Sequence, residues 1–448
     1  MSLAVTTASL INDPLYLDRC QVDSPNSLVE LAWAQVAARR SDVDTVVDFG
    51  AGDARFARSG QFNRYVGYEI DTKRWNSGGL GSGVEMRSRC AFTHTATDAD
   101  LCIGNPPYVR NQDLPLGWRV MAAGQVEART GVQLSGLANA WQYFLMLGIA
   151  STNPTGLVVQ VLPYEWVSRP SAAAIRSHVN SMGWRVSVYR LPDSTFSGVL
   201  TAASITVIDK RGPAEWNYFE IDDRGTPRAL DSAAGPIEGA LAYTRAGGPV
   251  RAKRGLSPGT QKLLTMTEGE RIHAGLHIGR DVVRCVTSLR DLPAFEGRLT
   301  SSNFDATLRH RGAKCWLIRT DREPSERLRG YLESCAESDY NTATCLAREV
   351  WWQFAMPAVP ALLISQSFKG KAPKVLVNEV KAHAVGGVCG VYNLDAQAAD
   401  AFRRDLEALD LNGQLIPYAG GLYKLEIGQL NSLLEAFTQA VMHAREGS

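Results

Sequence analysis

The sequence is most informative at first for what it lacks. No stretch approaches the ~18 uninterrupted apolar residues of a membrane-crossing helix, and no basic segment leading into an apolar core stands near the start. The expectation is a cytoplasmic chain with no membrane partner. The eight cysteines (Cys20, Cys90, Cys102, Cys285, Cys315, Cys335, Cys345 and Cys389) form no CxxC pair and fall at no metal-ligand spacing with histidine. Several sit in apolar runs, as free buried thiols do, which predicts a reducing compartment and no metal site. There is no excess of one charge: the formal net is +1, so whole-chain charge argues neither for nor against a polyanionic partner. Repeats at 20–50 residues and low-complexity segments are absent too, which excludes solenoids and disordered linkers. At 45% hydrophobic and 21% charged residues, the composition is that of a folded globular protein.

What is present is a regular alternation. SLVELAWAQVAAR (27–39) carries apolar residues at helical spacing after a cap-like DSPN. DTVVDFG, RYVGYEID, ADLCIGN and GLVVQVLPYEW read as buried strands, NAWQYFLMLGIAST and AAIRSHVNSMG as helices, and RVSVYRLP and AASITVIDK as two closing strands. Such alternation predicts an α/β fold with a doubly wound, mainly parallel sheet. It ends near Lys210, and the Gly-, Pro-, Ala- and Asp-rich stretch from KRGPAEW to RAGGPVRAKRG reads as an inter-domain connection. Beyond it come short strands (LHIGRDVVRCV, KCWLIRT) and two late helices (AQAADAFRRDLEAL, QLNSLLEAFTQAVMHAR). A chain of 448 residues is long for one domain. The expected division is 1–244, α/β, and 245–448, mixed α+β.

Three signals in the first part carry chemistry. In VVDFGAGDARF, a strand ends in Asp48 and then in a Gly50-x-Gly52 turn, which lets a ligand approach the backbone closely. A plain tight turn has the same appearance. In YVGYEID, Glu69 ends the next strand, 21 residues after Asp48, where an acid reaches ribose hydroxyls. Ala54 and Arg55 stand where a dinucleotide fingerprint would carry a third glycine, which favours a single adenosine-type cofactor over NAD. In ADLCIGNPPYVR, a strand is stopped by two prolines that hold Asn105 and Tyr108 together.

With these motifs in this order, the sequence resembles the gamma class of S-adenosylmethionine-dependent DNA N6-adenine methyltransferases, the TaqI-methylase type. The residues that carry the resemblance are VDSPNSLV, VVDFGAGDARF, YVGYEID, CIGNPPY with its Asn105-Pro106-Pro107-Tyr108 motif, LANAWQYFL, GLVVQVLPYEW and SVYRLPDSTFSG, from Asp23 to about Asp209. It implies a Rossmann-like class I methyltransferase sheet followed by a target-recognition domain. It further implies that the Asn105 side chain and the Pro106 carbonyl accept the two amino hydrogens of a flipped-out adenine, with Tyr108 and Phe196 sandwiching the ring. Ser24, Asp48, Gly50, Gly52, Glu69 and Asn105 would bind S-adenosyl-L-methionine. For Ser24, a helix N-cap is the alternative; for Phe196, a loop anchor packed on the core. The family's usual acid 14–16 residues before the motif is missing from MRSRCAFTH (86–94), leaving Glu85 or backbone groups to hold the cofactor's adenine edge.

Charge distribution supports the second part as the nucleic-acid side. From Arg245 to Arg319 there are 14 Lys and Arg against 6 Asp and Glu, a local net of +8. Arg280, Arg284, Arg309 and Arg311 are the candidate contacts to double-stranded DNA. The expectation is a monomeric modification enzyme of a restriction system, with a cognate restriction endonuclease acting on the same site. Cytosine-N4 methylation, and an RNA or protein-glutamine substrate, use the same motif and stay open. The roughly 200 extra C-terminal residues disfavour the last two.

Overall fold

The computed structural model describes residues 23–75, 80–93, 98–196, 202–230, 241, 243–244, 248–415, 418 and 421–446. The chain divides into two compact units, Met1–Ala240 with Tyr418–Gly420, and Leu241–Pro417 with Gly421–Ser448.

The first unit is built on a nine-stranded sheet: β1 (Thr45–Phe49), β2 (Arg64–Glu69), β3 (Val84–Ser88), β4 (Ala99–Gly104), β5 (Thr152–Pro163), β6 (Arg185–Arg190), β7 (Ala203–Asp209), β8 (Glu215–Ile221) and β9 (Pro227–Ala229). Their order is β3-β2-β1-β4-β5-β7-β6-β8-β9. Strands β3 to β5 are mutually parallel, whereas β7 runs antiparallel to both neighbours, so the unit is mixed α/β with a mixed sheet. β1 and β4 are adjacent, yet the chain proceeds from them to opposite sides. A reversal of this kind opens a crevice at the carboxyl ends, where open α/β sheets bind ligands.

Among the described residues five helices of a turn or more accompany the sheet: α1 (Asn26–Ala37), α2 (Arg55–Ser59), α3 (Leu116–Thr130), α4 (Ala140–Ser151) and α5 (Ala173–Ser181). α1 buries Leu28, Val29, Ala32, Trp33 and Val36 in a core shared with Val46, Leu101 and Ile103. Each large aliphatic side chain so buried is worth roughly 1.5–3 kcal/mol. α4 is apolar and buried on nearly all sides. The Gln142 side chain accepts from the Asn139 amide at 2.7 Å, and Asn139 Oδ1 accepts from the Asn111 amide at 2.9 Å. That second bond moors the segment leaving Tyr108 to the start of α4.

Four elements, β3, β8, β9 and α3, differ from the sequence reading. The stretch taken as a connection contributes β8, whose Trp216, Tyr218 and Phe219 pack at the sheet's margin, and β9. Its flanking glycines and prolines hid a half-exposed strand. β3 went unseen because it is an edge strand carrying Glu85 and Arg87 rather than an apolar run. α3 buries only Trp118, Ala122 and Val126, a stripe too narrow to stand out. β5 begins ahead of the GLVVQVLPYEW run and takes in the NPTG segment, residues 153–156. Cys90, Cys102, Cys285, Cys315, Cys345 and Cys389 are buried and unpaired, and Cys335 is half-buried; Cys20 lies outside the described residues.

Among the described residues the second unit holds a two-stranded ladder, Ser367–Phe368 with Tyr423–Lys424, and two larger sheets. One runs Arg251–Lys253, Val388–Tyr392, Leu362–Ser365, Val375–Asn378, Arg298–Leu299; the other runs Thr265–Met266, Trp316–Ile318, Val282–Val286, His383–Ala384. Both late helices are present, as Ala396–Ala408 and Ile427–Glu446. One carboxylate organises the smaller sheet's border. Glu268 accepts from Arg271 at 2.8 and 2.9 Å, from Arg309 at 2.6 and 2.8 Å, and from Trp316 Nε1 at 2.7 Å. These bonds, Arg271's first, hold its pKa down at about 2. Its stabilisation is present above the ordinary carboxylate range and is lost as pH falls toward about 2. Glu268→Gln is expected to cost about 2 kcal/mol in urea unfolding at neutral pH. The deficit should shrink on acidification; an unchanged midpoint at neutral pH would show that the hub does not carry this border.

Candidate functional site

The site begins where β1 stops. Gly50 and Ala51 donate their amides to the Tyr68 carbonyl at 2.8 and 3.0 Å, folding the chain back over the end of β2. Gly50 (φ +84°) and Gly52 (φ +56°) adopt backbone conformations that favour glycine. A Cβ on Gly50 would stand 3.3 Å from Pro107 Cδ, so the turn and the Asn-Pro-Pro-Tyr loop abut directly. The Glu69 carboxylate accepts from the Gly52 and Asp71 amides, each at 2.9 Å. Burial raises its pKa, and the amides and Arg74 work against that rise. Each Glu69 oxygen keeps a lone pair for a further donor.

Asn105 leaves β4 beside this turn and donates Nδ2 to the Ser24 hydroxyl at 3.1 Å, which leaves its carbonyl oxygen as the accepting end. Ser24 is buried and is not a helix cap: α1 starts from Pro25, whose carbonyl accepts from Leu28 and Val29. Ser24, Gly50, Gly52, Glu69 and Asn105 thus line one cleft, together with Asp23, Asp53, Arg55 and Arg74. The last four were not anticipated. Arg55 pairs with Asp53 at 2.8 Å and Asp23 at 3.5 Å, and Arg74 also pairs with Asp23. GDARF announces two of these charges, but Arg74 reaches the cleft through a loop path that no motif encodes.

Asp48 is not on the cleft wall. It is fully buried, with Oδ2 accepting from the Tyr65 hydroxyl at 2.5 Å and Oδ1 without a hydrogen-bond partner among the described residues. A Cβ on Gly104 would lie 2.1 Å from that Oδ1, so only glycine fits between the carboxyl and Asn105. Burial pushes the Asp48 pKa up to about 7; Tyr65 opposes the rise, and Glu69 and Asp53 add to it.

Pro106 is buried and Tyr108 half-buried. The Tyr108 hydroxyl has no partner among the described residues, and burial drives its pKa well above the ordinary phenol value. Phe196 packs, half-buried, on the core that α1 shares with the sheet, as a loop anchor does. The residues after it, 197–201, lie outside the described ones. Glu85 does not reach the cleft. It stands opposite Val66, three residues before the end of β3, paired with Arg87 at 2.7 Å and Arg64 at 2.9 Å, which hold its pKa at about 2.

The four arginines of the second unit separate. Arg280 and Arg311 are exposed. Arg284 lies half-buried with its guanidinium 5.6 Å from the centre of the Phe304 ring. Arg309 is committed to Glu268 and Asp305, so it is a structural residue rather than a free surface cation.

Residues 74–190 match the Eco57I restriction-modification methylase family. The match spans β3 to β6 and includes the Asn-Pro-Pro-Tyr loop. No curated protein matches the chain. Among solved structures it is similar to a nuclease-deletion mutant of the Type ISP restriction-modification enzyme LlaGI in complex with a DNA substrate mimic, at 11% identity and TM-score 0.51, over 88% of this chain and 52% of that one. A second is the Type IIL restriction-modification enzyme MmeI in complex with DNA, at 11% identity and TM-score 0.50, over 88% and 62%. A third is the type I restriction-modification methyltransferase subunit from Streptococcus thermophilus, at 18% identity and TM-score 0.38, over 47% and 50%. At 11% identity the likeness to the first two is one of fold. The chain spans about half to three fifths of the length of these three.

Asp48 makes stability depend on pH in a definite direction. Its folded pKa is raised from 3.8 to about 7, so the folded state binds the extra proton between those values and stability from this group falls as pH rises through them. Asp48→Asn should therefore gain on the wild type by about 1–3 kcal/mol between about pH 5 and pH 8 in paired denaturant titrations. A constant difference would mean that the carboxyl ionises freely.

Proposed function

We propose that the chain is an S-adenosylmethionine-dependent DNA methyltransferase of a restriction-modification system, acting on adenine N6. The observation that carries this reading is the contact between its two motifs. The Asn105-Pro106-Pro107-Tyr108 loop sits against the Gly50–Gly52 turn at the reversal point of the sheet, with Asn105 on the cleft wall.

The cleft fits that cofactor. Glu69 offers carboxylate lone pairs for ribose hydroxyls, and Gly50 and Gly52 line the cleft without side chains of their own. Asp23 and Asp53 beside Arg55 and Arg74 offer both signs of charge to an amino-acid zwitterion. When bound, the cofactor supplies an electrophilic methyl group on a sulfonium. The chain's own residues act on the amine. The adenine N6 lone pair is delocalised into the ring; acceptors at the Asn105 Oδ1 and the Pro106 carbonyl hold both amino hydrogens and favour tetrahedral character at nitrogen. Prolines 106 and 107 fix those acceptors in advance. The Tyr108 ring receives the base once it has left the duplex.

DNA contacts fall to the second unit as target-recognition domain, with Arg280 and Arg311 as phosphate partners and Arg284 held ready by Phe304. Glu85 being elsewhere, backbone groups hold the adenine edge of the cofactor. Phe196 serves as the loop's anchor. Among the described residues no helix is long and apolar enough to cross a membrane; a cytoplasmic monomer working beside a restriction endonuclease completes the reading.

The test is single-molecule sequencing of DNA from a methylation-free host expressing the chain. N6-methyladenine is expected at one short motif. Asn105→Ala should lower the modification rate by about 10²–10³-fold with an unchanged unfolding midpoint. Absence of modified adenine together with an inert Asn105→Ala change would sink the reading, whereas N4-methylcytosine would change only the base.

A further inference from the structure

The acid that the sequence placed in the cofactor's reach is walled off from it, which raises the question of what a buried carboxyl does there. Asp48 sits under the junction of the two motifs: Gly50 is two residues on, and Gly104, against which Oδ1 rests, is the residue before Asn105. Among the described residues Tyr65 is its partner, at Oδ2, and Oδ1 has none. The ionisable groups facing it are Tyr65 and Glu69 of β2, Cys102 of β4 and Asp53 of the turn. All of these are neutral or acidic, and the cleft's own cations, Arg55 and Arg74, are paired with Asp53 and Asp23, so none of them is left to compensate a negative charge on Asp48. A cation seated in the adjacent cleft would supply that compensation, through a medium that water does not screen.

We propose that Asp48 is a proton-linked charge sensor for the methyl donor: it gives its proton to solvent when the cationic sulfonium cofactor binds and recovers one when the neutral thioether product is left. The inference rests on the cleft being an S-adenosylmethionine site. Transfer of the methyl group removes the sulfonium charge, so the two ligands differ where Asp48 is sensitive. Ionised Asp48 favours the donor, and protonated Asp48 discriminates less. Preference for donor over product therefore rises with pH up to the range where the empty protein has already lost the proton. Asp48 is a positioning residue in this role, acting through the charge of the floor rather than by touching the reacting atoms.

Calorimetry on the full chain tests this, with S-adenosylmethionine and S-adenosylhomocysteine as ligands, in buffers of differing ionisation enthalpy. Working at or below about pH 6.5 keeps the ligands' own ammonium groups protonated. The wild type should release about half a proton per S-adenosylmethionine near pH 6.5, and little with the thioether. The donor-to-product affinity ratio should rise about two- to threefold between about pH 5.5 and 6.5. Asp48→Asn, which carries the neutral shape, should bind both ligands with equal proton release and a flat ratio. Equal release for both ligands in the wild type overturns the inference and leaves the cofactor reading intact; that comparison stands even if the variant fails to fold. Asp48→Asn retaining the wild-type difference overturns it as well. If neither ligand binds, this inference and the cofactor reading fall together.

Discussion

The structure of the first unit turns on one close approach. β1 and β4 run side by side and end together, and the residues that leave them are pressed into contact: Gly50 against Pro107, and the Asp48 carboxyl against Gly104. The second contact leaves no room for a Cβ, and at the first a Cβ would press on Pro107 at 3.3 Å in a backbone conformation that favours glycine. Because the strands are parallel and fully buried, their register is fixed by the core, and that register delivers the glycine turn and the Asn-Pro-Pro-Tyr loop to the same point. The cleft, the orientation of Asn105 and the burial of Asp48 all follow from this geometry. Ser24 closes the arrangement from a third direction, its hydroxyl taking the Asn105 amide while α1 anchors its backbone.

The parts of this arrangement legible in the sequence were those with strong local chemistry. Two prolines after an apolar run, a Gly-x-Gly turn after another, and an acid at the end of the next strand each leave a local mark, and the structure brings Asn105, Gly50, Gly52 and Glu69 onto one cleft. What escaped was set by partners distant in the chain. Arg74 is unremarkable in sequence and becomes a cleft residue only by reaching Asp23. Arg309 looked like a surface cation because nothing near it shows that Glu268, 41 residues earlier, would claim it. β3 and α3 expose much of their length, so their patterns carry too few apolar positions to be recognised.

Asp48 illustrates a different limit. A carboxylate next to a glycine turn reads equally well as a ligand to a cation or as part of the wall, and only three-dimensional burial separates the two. Burying a carboxyl with an unpartnered oxygen is unfavourable, and a sheet needing only stability would carry an apolar residue there. Its neighbours Glu69 and Asp53 make the position worse for a negative charge. The arrangement is consistent only if an ionisable group at that point is useful, because Asn would preserve the shape and the bond from Tyr65 without the electrostatic cost. Departures of this kind from core chemistry concentrate at functional sites.

The same reasoning separates the arginines of the second unit. Arg309 has both its ionic partners within the fold, so its charge is spent on holding Trp316 and Arg271 around Glu268. Arg284 rests over an aromatic face that orients a guanidinium without neutralising it. An arginine oriented but not neutralised retains its field for an anionic partner, while one locked to two carboxylates does not. A local excess of positive charge is therefore a count of candidates, and the ion pairs decide which of them still present their charge to solvent.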